Sequence, residues 1–410
     1  MKLLISAYAC APGRGSEHGV GWNWATESLR LGHDVWALVS PAHRDSIGRA
    51  CAETPELGRI HWIFPEVLGW PLQPAIEPKW ERTYNLLWQI AALRQARRLH
   101  RTEQFDLVHH VTWAGIRAPT FLGALGAPLM IGPIGGGETS PASLRDGFGL
   151  RGRLLEALRD VSTATILYNP LVRAGFARAS VIFTHTEDTK NVFRGALRDK
   201  AVVFTPLSLS DLPPITARRP LGGSPKFLYA GRLLYWKGVH IALRAFAEVC
   251  RAAPDSRFTI VGDGPERSRI EEDAAGFGIR DRVDFVPRLP QSDLFKLYDE
   301  HDMFLFPSLH DSGGFVVLEA LSRRLPVICL DLGGPKDLVT PACGVTIATA
   351  GRSSEQVARD MAGQILRLLA APDDLAGLAA GARARAGDFI LEHRIRDFYS
   401  IADRFLAKSD

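Results

Sequence analysis

Twice along this chain, short apolar runs alternate with longer stretches whose apolar residues recur every three or four positions. That rhythm is the mark of βαβ units, because a strand apolar on both faces needs helices on both sides of a parallel sheet. In the first half it predicts strands at residues 3–9, 35–39, 107–110, 129–131 and 181–184, with helices near 20–31, 79–101 and 186–197. The second half predicts strands at 226–231, 258–261, 283–286, 303–306 and 326–330, with helices near 238–251, 265–276, 292–300 and 314–324. A chain of 410 residues exceeds what one hydrophobic core usually supports, so two α/β Rossmann-like domains are expected. The Pro-, Gly- and Ser-rich segment 206–225 has neither period and reads as the linker between residues 1–205 and 226–385. Residues 386–410 read as a helix that crosses back to the first domain.

Composition narrows the function classes. The five cysteines, Cys10, Cys51, Cys250, Cys329 and Cys343, are scattered and odd in number, which fits neither a disulfide framework nor a CxxC metal site. The opening MKLLISAYAC is too short in its apolar part for a signal peptide and reads as a buried first strand. The longest uncharged stretch, 121–137, holds Pro128, Pro133 and six glycines, so it is no membrane helix. A cytoplasmic protein follows, working free or at the inner face of the membrane. Net charge is +4, and the excess lies in residues 1–210, with 23 Lys and Arg against 18 Asp and Glu. That bias suits an anionic partner such as a membrane surface or a phosphorylated acceptor, and is too small for nucleic acid.

Two strand ends carry chemistry. The strand at 226–231 runs through Gly231 and Arg232 to Lys237 and Gly238 and then into a helix, so two cations and approachable backbone meet where a diphosphate could be gripped. After the strand at 303–306, Asp311 and Glu319 flank Gly313, Gly314, Phe315 and Val316. Backbone N–H groups at that helix start suit phosphate, and carboxylates beside it suit sugar or ribose hydroxyls.

With these residues in view, the second half resembles the donor domain of glycosyltransferase family 4, retaining nucleotide-sugar enzymes of GT-B fold, two Rossmann-like domains facing a cleft. The blocks GRLLYWKGVHIALRAF, FTIVGDGPER, HDSGGFVVLEALSRRLPVI and GGPKDLV stand in the family's order. The resemblance implies that Arg232 and Lys237 bind the donor diphosphate, that Gly314 and Phe315 supply amides, and that Glu319 bonds the ribose. Asp311 takes the place of the first Glu of the family's E-x7-E pair and would touch the transferred sugar. The chain departs from the pattern at Asp311 itself, at Gly313 where an aromatic is common, at Pro287 and at Asp337. The implied reaction moves a hexose from a UDP- or GDP-sugar, with retention and without cofactor or metal, to a glycan, lipid-linked or small-molecule acceptor in polysaccharide or glycoconjugate assembly.

In the first half Gly13, Gly15 and His18 follow the first strand, and His110 and Gly136 stand near later strand ends, as candidates for the acceptor and diphosphate side. Arg94, Arg97, Arg98 and Arg101 form one cationic stripe on the helix near 79–101, a candidate for peripheral membrane contact. Two rivals remain: a sugar-nucleotide epimerase or non-catalytic binding subunit of the same fold, and an NAD-dependent oxidoreductase. The glycine loops at 13–18 and 262–267 lack the third glycine of GxGxxG, having His18 and Arg267 there, which argues against the dinucleotide reading.

Overall fold

The computed structural model describes residues 1–14, 16–67, 80–118, 120–214 and 223–406. Gly15, Lys79 and residues 215–222 of the expected linker lie outside them. The chain divides into two compact units, Met1–Gly137 with Ser162–Pro206 and Leu391–Asp410, and Glu138–Val161 with Leu207–Ile390.

The first unit is built on a seven-stranded parallel sheet. Its strands are β1 (Lys2–Ala7), β2 (Asp34–Val39), β3 (His61–Ile63), β4 (Leu107–Thr112), β5 (Leu129–Ile134), β6 (Val181–Thr184) and β7 (Ala201–Val203), in the order β3-β2-β1-β4-β5-β6-β7. Alternate residues of β1 feed two separate cores: Leu3 and Ile5 pack with Trp24 and Phe398, and Leu4 packs with Trp88 and Tyr84. This two-sided burial is why the strand reads as one apolar run. The helix Leu391–Leu406 closes one face, with Phe398 against Phe183 at 3.9 Å between ring centroids and Tyr399 OH 2.9 Å from Ser28 Oγ.

The second unit carries six parallel strands, β8 (Lys226–Ala230), β9 (Arg257–Val261), β10 (Val283–Val286), β11 (Met303–Phe306), β12 (Val327–Leu330) and β13 (Gly344–Ile347), in the order β10-β9-β8-β11-β12-β13. The order reverses between β8 and β11, and ligands of open parallel sheets bind outside the carboxyl ends of strands at such a switch point. The two strand ends singled out in the sequence are these two.

The sequence reading misses the short strands β3, β7 and β13, which offer three or four residues of pattern each. The helix expected near 186–197 is two four-residue turns, Glu187–Lys190 and Ala196–Asp199, interrupted at Gly195 with φ +51°. The helix Leu150–Thr165 was not expected, and residues 138–161, read as part of the first domain, group with the second unit. Their contacts explain why: Glu156 and Glu138 bond to side chains of the β8 and β11 loops.

Glycines in the block FTIVGDGPER serve close packing. Gly262 has φ +138°, and a Cβ there would lie 2.0 Å from the Gly231 carbonyl oxygen. At Gly264 a Cβ would lie 2.2 Å from the Leu233 oxygen, while Leu233 N–H donates to Asp263 O at 2.9 Å. Backbone therefore meets backbone where β8 and β9 end. Gly262→Ala should cost about 3 kcal/mol in urea denaturation, through both strain and the clash. Stability within 0.5 kcal/mol of the parent, at about the level of a neutral surface change, would show that the loops can separate freely.

Candidate functional site

The site grows from two loops. After β8 the chain passes Gly231, whose N–H donates to Val261 O at 3.0 Å, and the exposed Arg232 before a turn at Tyr235–Lys237. Gly238 then caps the helix Val239–Ala252 in the left-handed region, φ +66°. A Cβ there would stand 2.0 Å from the Pro307 carbonyl oxygen, so only glycine lets this loop lie on the β11 loop. Leu309 N–H donates to Trp236 O at 2.8 Å, joining the loops a second time.

That contact sets Lys237 against Asp311, Nζ to Oδ2 at 2.5 Å, with both side chains mostly buried. Lys237 Nζ also lies 5.3 Å from the Phe306 ring centroid, a cation–π position. Asp311 is held from behind, since its carbonyl accepts from Gly334 N–H at 2.7 Å and a Cβ at Gly333 would lie 2.4 Å from that same oxygen. Arg232 makes no ion pair among the described residues, so its guanidinium is uncommitted.

Gly314, φ +114°, opens the helix Phe315–Ser322, with Phe315 37% exposed and Gly313 half-buried against Leu207. About one turn in, Glu319 accepts from Gln291 Nε2 at 2.6 Å and Tyr298 OH at 3.2 Å. Tyr298 OH also lies 3.3 Å from Val316 O. Burial raises the Glu319 pKa, with the Gln291 and Tyr298 hydrogen bonds working against it. The carboxylate is thus oriented by two donors from other elements.

Sequence reasoning missed the layer behind these loops. His310 Nε2 lies 3.0 Å from Glu156 Oε1 and its ring stacks on Trp236, centroids 5.1 Å apart. Tyr235 OH donates to the same Glu156 oxygen at 3.2 Å, and Ser312 Oγ donates to buried Glu138 at 2.6 Å. Glu156 is fully buried. Burial pushes its pKa up, but His310, then Ser140 and Arg159, outweigh burial and hold it at about 2. No local signal marks this residue: a Glu among leucines reads as an ordinary surface position.

In the first unit the candidates do not converge. Gly13 is exposed at φ +66° with nothing within 4 Å of a Cβ, and Gly15 lies outside the described residues. His18 is half-buried, its ring edge-on to His43 at 5.0 Å, and burial followed by Arg14 lowers its pKa, leaving it neutral at pH 7. Gly136, φ +105°, gives its carbonyl to Arg117 Nη1 at 2.8 Å. His110 is corrected: it is completely buried in β4, with Nδ1 3.1 Å from Ser6 Oγ and burial lowering its pKa to about 4, so it is a core residue with no access to an acceptor. Among the described residues no three His, Cys, Asp or Glu side chains gather as a metal site.

Residues 216–383 match the family described as Glycosyl transferases group 1. The chain is 28% identical to 2-deoxystreptamine glucosyltransferase of Streptomyces kanamyceticus over 75% of its own length and 80% of the relative's. Its fold is similar to that of sucrose-phosphate synthase from Thermosynechococcus elongatus, TM-score 0.65 at 18% identity over 99% of each chain. It is also similar to that of Anabaena HepE in complex with UDP, TM-score 0.61 at 16% identity over 98% of this chain and 100% of that one. The fold is GT-B, and the matches support group 1 glycosyltransferase activity.

A stability prediction follows from Glu156. A carboxyl whose pKa is depressed on folding contributes stability that is complete above its unfolded value, near 4.5, and lost as pH falls toward its folded value of about 2. Glu156→Gln should therefore be about 3 kcal/mol less stable at pH 7, and the gap to the parent should narrow between pH 4.5 and 2. Urea denaturation across that range checks it, and a gap constant with pH would remove the charge from the account.

Proposed function

We propose that this chain is a retaining hexosyltransferase that takes its sugar from a UDP- or GDP-sugar held at the β8–β11 switch point. The observation that carries the reading is the Lys237–Asp311 pair beside uncommitted Arg232 and the glycine-opened helix at Gly314. The cation Lys237 and the carboxylate Asp311 meet there, and Glu319 lies farther along the helix that Gly314 opens. HepE, of the same fold, is known in complex with UDP, which supports a uridine nucleotide as the first to test.

In the proposed reaction the bond from the sugar's anomeric carbon to the diphosphate oxygen breaks, its electron pair leaving with the phosphate. The acceptor hydroxyl oxygen bonds to the same face of that carbon and passes its proton to the departing phosphate oxygen. Arg232 and Lys237, with the N–H groups at Gly314 and Phe315, stabilise the charge that grows on the leaving diphosphate. Asp311 orients Lys237 and faces the sugar, while Glu319, fixed by Gln291 and Tyr298, accepts from the ribose hydroxyls. No metal or organic cofactor enters this scheme. A glycan or lipid-linked acceptor would suit glycoconjugate assembly; a small cyclic acceptor is supported by the relative named for 2-deoxystreptamine.

The location proposed is the cytoplasm, with peripheral contact at the membrane. Among the described residues no helix is long and apolar enough to cross a bilayer. Arg94, Arg97, Arg98 and Arg101 are all exposed on the helix Glu81–Glu103, with Leu86 and Ile90 exposed on the same helix.

Replacing Arg232 or Lys237 by Ala should lower turnover on the order of 100-fold or more with the fold intact, because each removes charge stabilisation of the leaving group. Transfer of radiolabel from a sugar nucleotide to a second molecule is the readout, and it separates a transferase from an epimerase or a binding subunit. Near-parental turnover in both variants would sink the diphosphate assignment.

The two carboxylates should part ways in binding. Glu319→Gln should weaken free nucleotide and intact donor alike, by roughly tenfold for one charge-assisted hydrogen bond. Asp311→Asn should weaken only the intact donor. Calorimetric titration with UDP and a UDP-sugar measures both, and equal losses for the two ligands in both variants contradict the division.

A further inference from the structure

The helix Leu150–Thr165 presents the wrong face to solvent for an ordinary surface helix. Its small and charged positions look inward: Gly152 is buried, with a Cβ position 3.2 Å from the Tyr235 ring, Glu156 is fully buried, and Arg159 Nε donates to the Glu138 carbonyl at 3.0 Å. Its leucines look outward. Leu150, Leu154, Leu158 and Val161 are 87%, 62%, 58% and 62% exposed, with Leu155 at 43% beside them. Their spacing of four, four and three residues lays them along one line of the helix. A contiguous apolar stripe of this kind on a soluble surface marks an interaction site.

The charges on the helix identify what covers it. Arg151 and Arg153 are exposed next to the stripe, and neither makes an ion pair among the described residues. Both acids of the helix are already committed, Glu156 to His310 and Tyr235, and Asp160 to Arg145 at 2.7 Å. On this helix every exposed charge outside an ion pair is therefore positive, with Arg153 also donating to the Asp146 carbonyl at 3.3 Å. A second copy docked helix to helix would set this arginine rim against itself with no free carboxylate of the helix to answer it. An anionic lipid surface complements it, with leucines entering the acyl boundary and arginines at the level of the phosphates.

We propose that the exposed face of Leu150–Val161 is a docking surface for anionic membrane lipid. The proposal rests on the peripheral-membrane reading above for its occupant, and it names a surface distinct from the Arg94–Arg101 stripe. Burying the inward face on the β8 and β11 loops is what turns the leucines outward, so the element that stiffens the candidate donor site is also the one that meets the bilayer.

The test is co-sedimentation of the full chain with vesicles of phosphatidylcholine alone or with phosphatidylglycerol, at low and high salt. The parent should bind the anionic vesicles and be released by salt. Leu154→Ser with Leu158→Ser should reduce recovery by about tenfold or more, and Arg151→Gln with Arg153→Gln should do the same, since each cation near the surface adds about fivefold. Thermal unfolding and radiolabel transfer to a water-soluble acceptor should stay at parental values, so failed docking is distinguishable from failed chemistry. Should the leucine variant not fold, the arginine pair, on the solvent side, still decides. Unchanged recovery in both variants overturns the proposal. So does loss confined to a variant with Arg94, Arg97, Arg98 and Arg101 changed to Gln, or a dimer by light scattering that dissociates in the leucine variant without vesicle binding.

Discussion

The second unit turns on one backbone contact, the seating of Gly238 on the carbonyl of Pro307. It brings the loop after β8 onto the loop after β11 at the point where strand order reverses. The Lys237–Asp311 pair, the Leu309–Trp236 hydrogen bond and the stacking of His310 on Trp236 all depend on that approach. An ion pair between long side chains would by itself contribute little at a surface. Here it is mostly buried and braced by main chain on both sides, so the charges are positioned before any ligand arrives, which is what electrostatic stabilisation of a leaving group requires.

The layer behind the loops has a different character. Glu156 and Glu138 are buried carboxylates, and a buried carboxylate is tolerated only when its oxygens are answered. His310 and Tyr235 both meet Oε1 of Glu156, and Ser312 meets Glu138; each of the three belongs to one of the two site loops. The arrangement makes burial of charge conditional on loop position: if either loop shifts, a carboxylate loses its partner. Rigidity of the site and satisfaction of these acids are one requirement.

Legibility in the sequence followed the physics of each signal. Strands such as β1 and β11 were plain because both faces are buried and the run is continuously apolar, whereas β7 and β13, at sheet edges, are too short to carry a period. That Gly231, Arg232, Lys237 and Asp311 lie in the loops after β8 and β11, and Glu319 on the helix that follows, was legible because local chain order sets it. Glu156 was not, since what makes it special is a histidine 154 positions away. For His110 the sequence offered an acceptor-side group or a hydrogen-bonded core histidine, and burial within β4 selects the second. Gly262 and Gly264, in a loop whose missing third glycine argued against dinucleotide binding, are in space the spacing between two main chains.

The chain order of Glu138–Val161 bears on how such a protein can be recombined. The segment lies upstream of the linker, yet it is structurally part of the unit downstream. Exchanging halves between homologues at the linker would pair a foreign Glu156 and Glu138 with the resident His310 and Ser312, and expression of the downstream half alone would leave those partners facing nothing. The boundary of inheritance for the second unit is therefore not the boundary visible along the chain. A module that travels intact must carry its 24-residue insert, Glu138–Val161, with it.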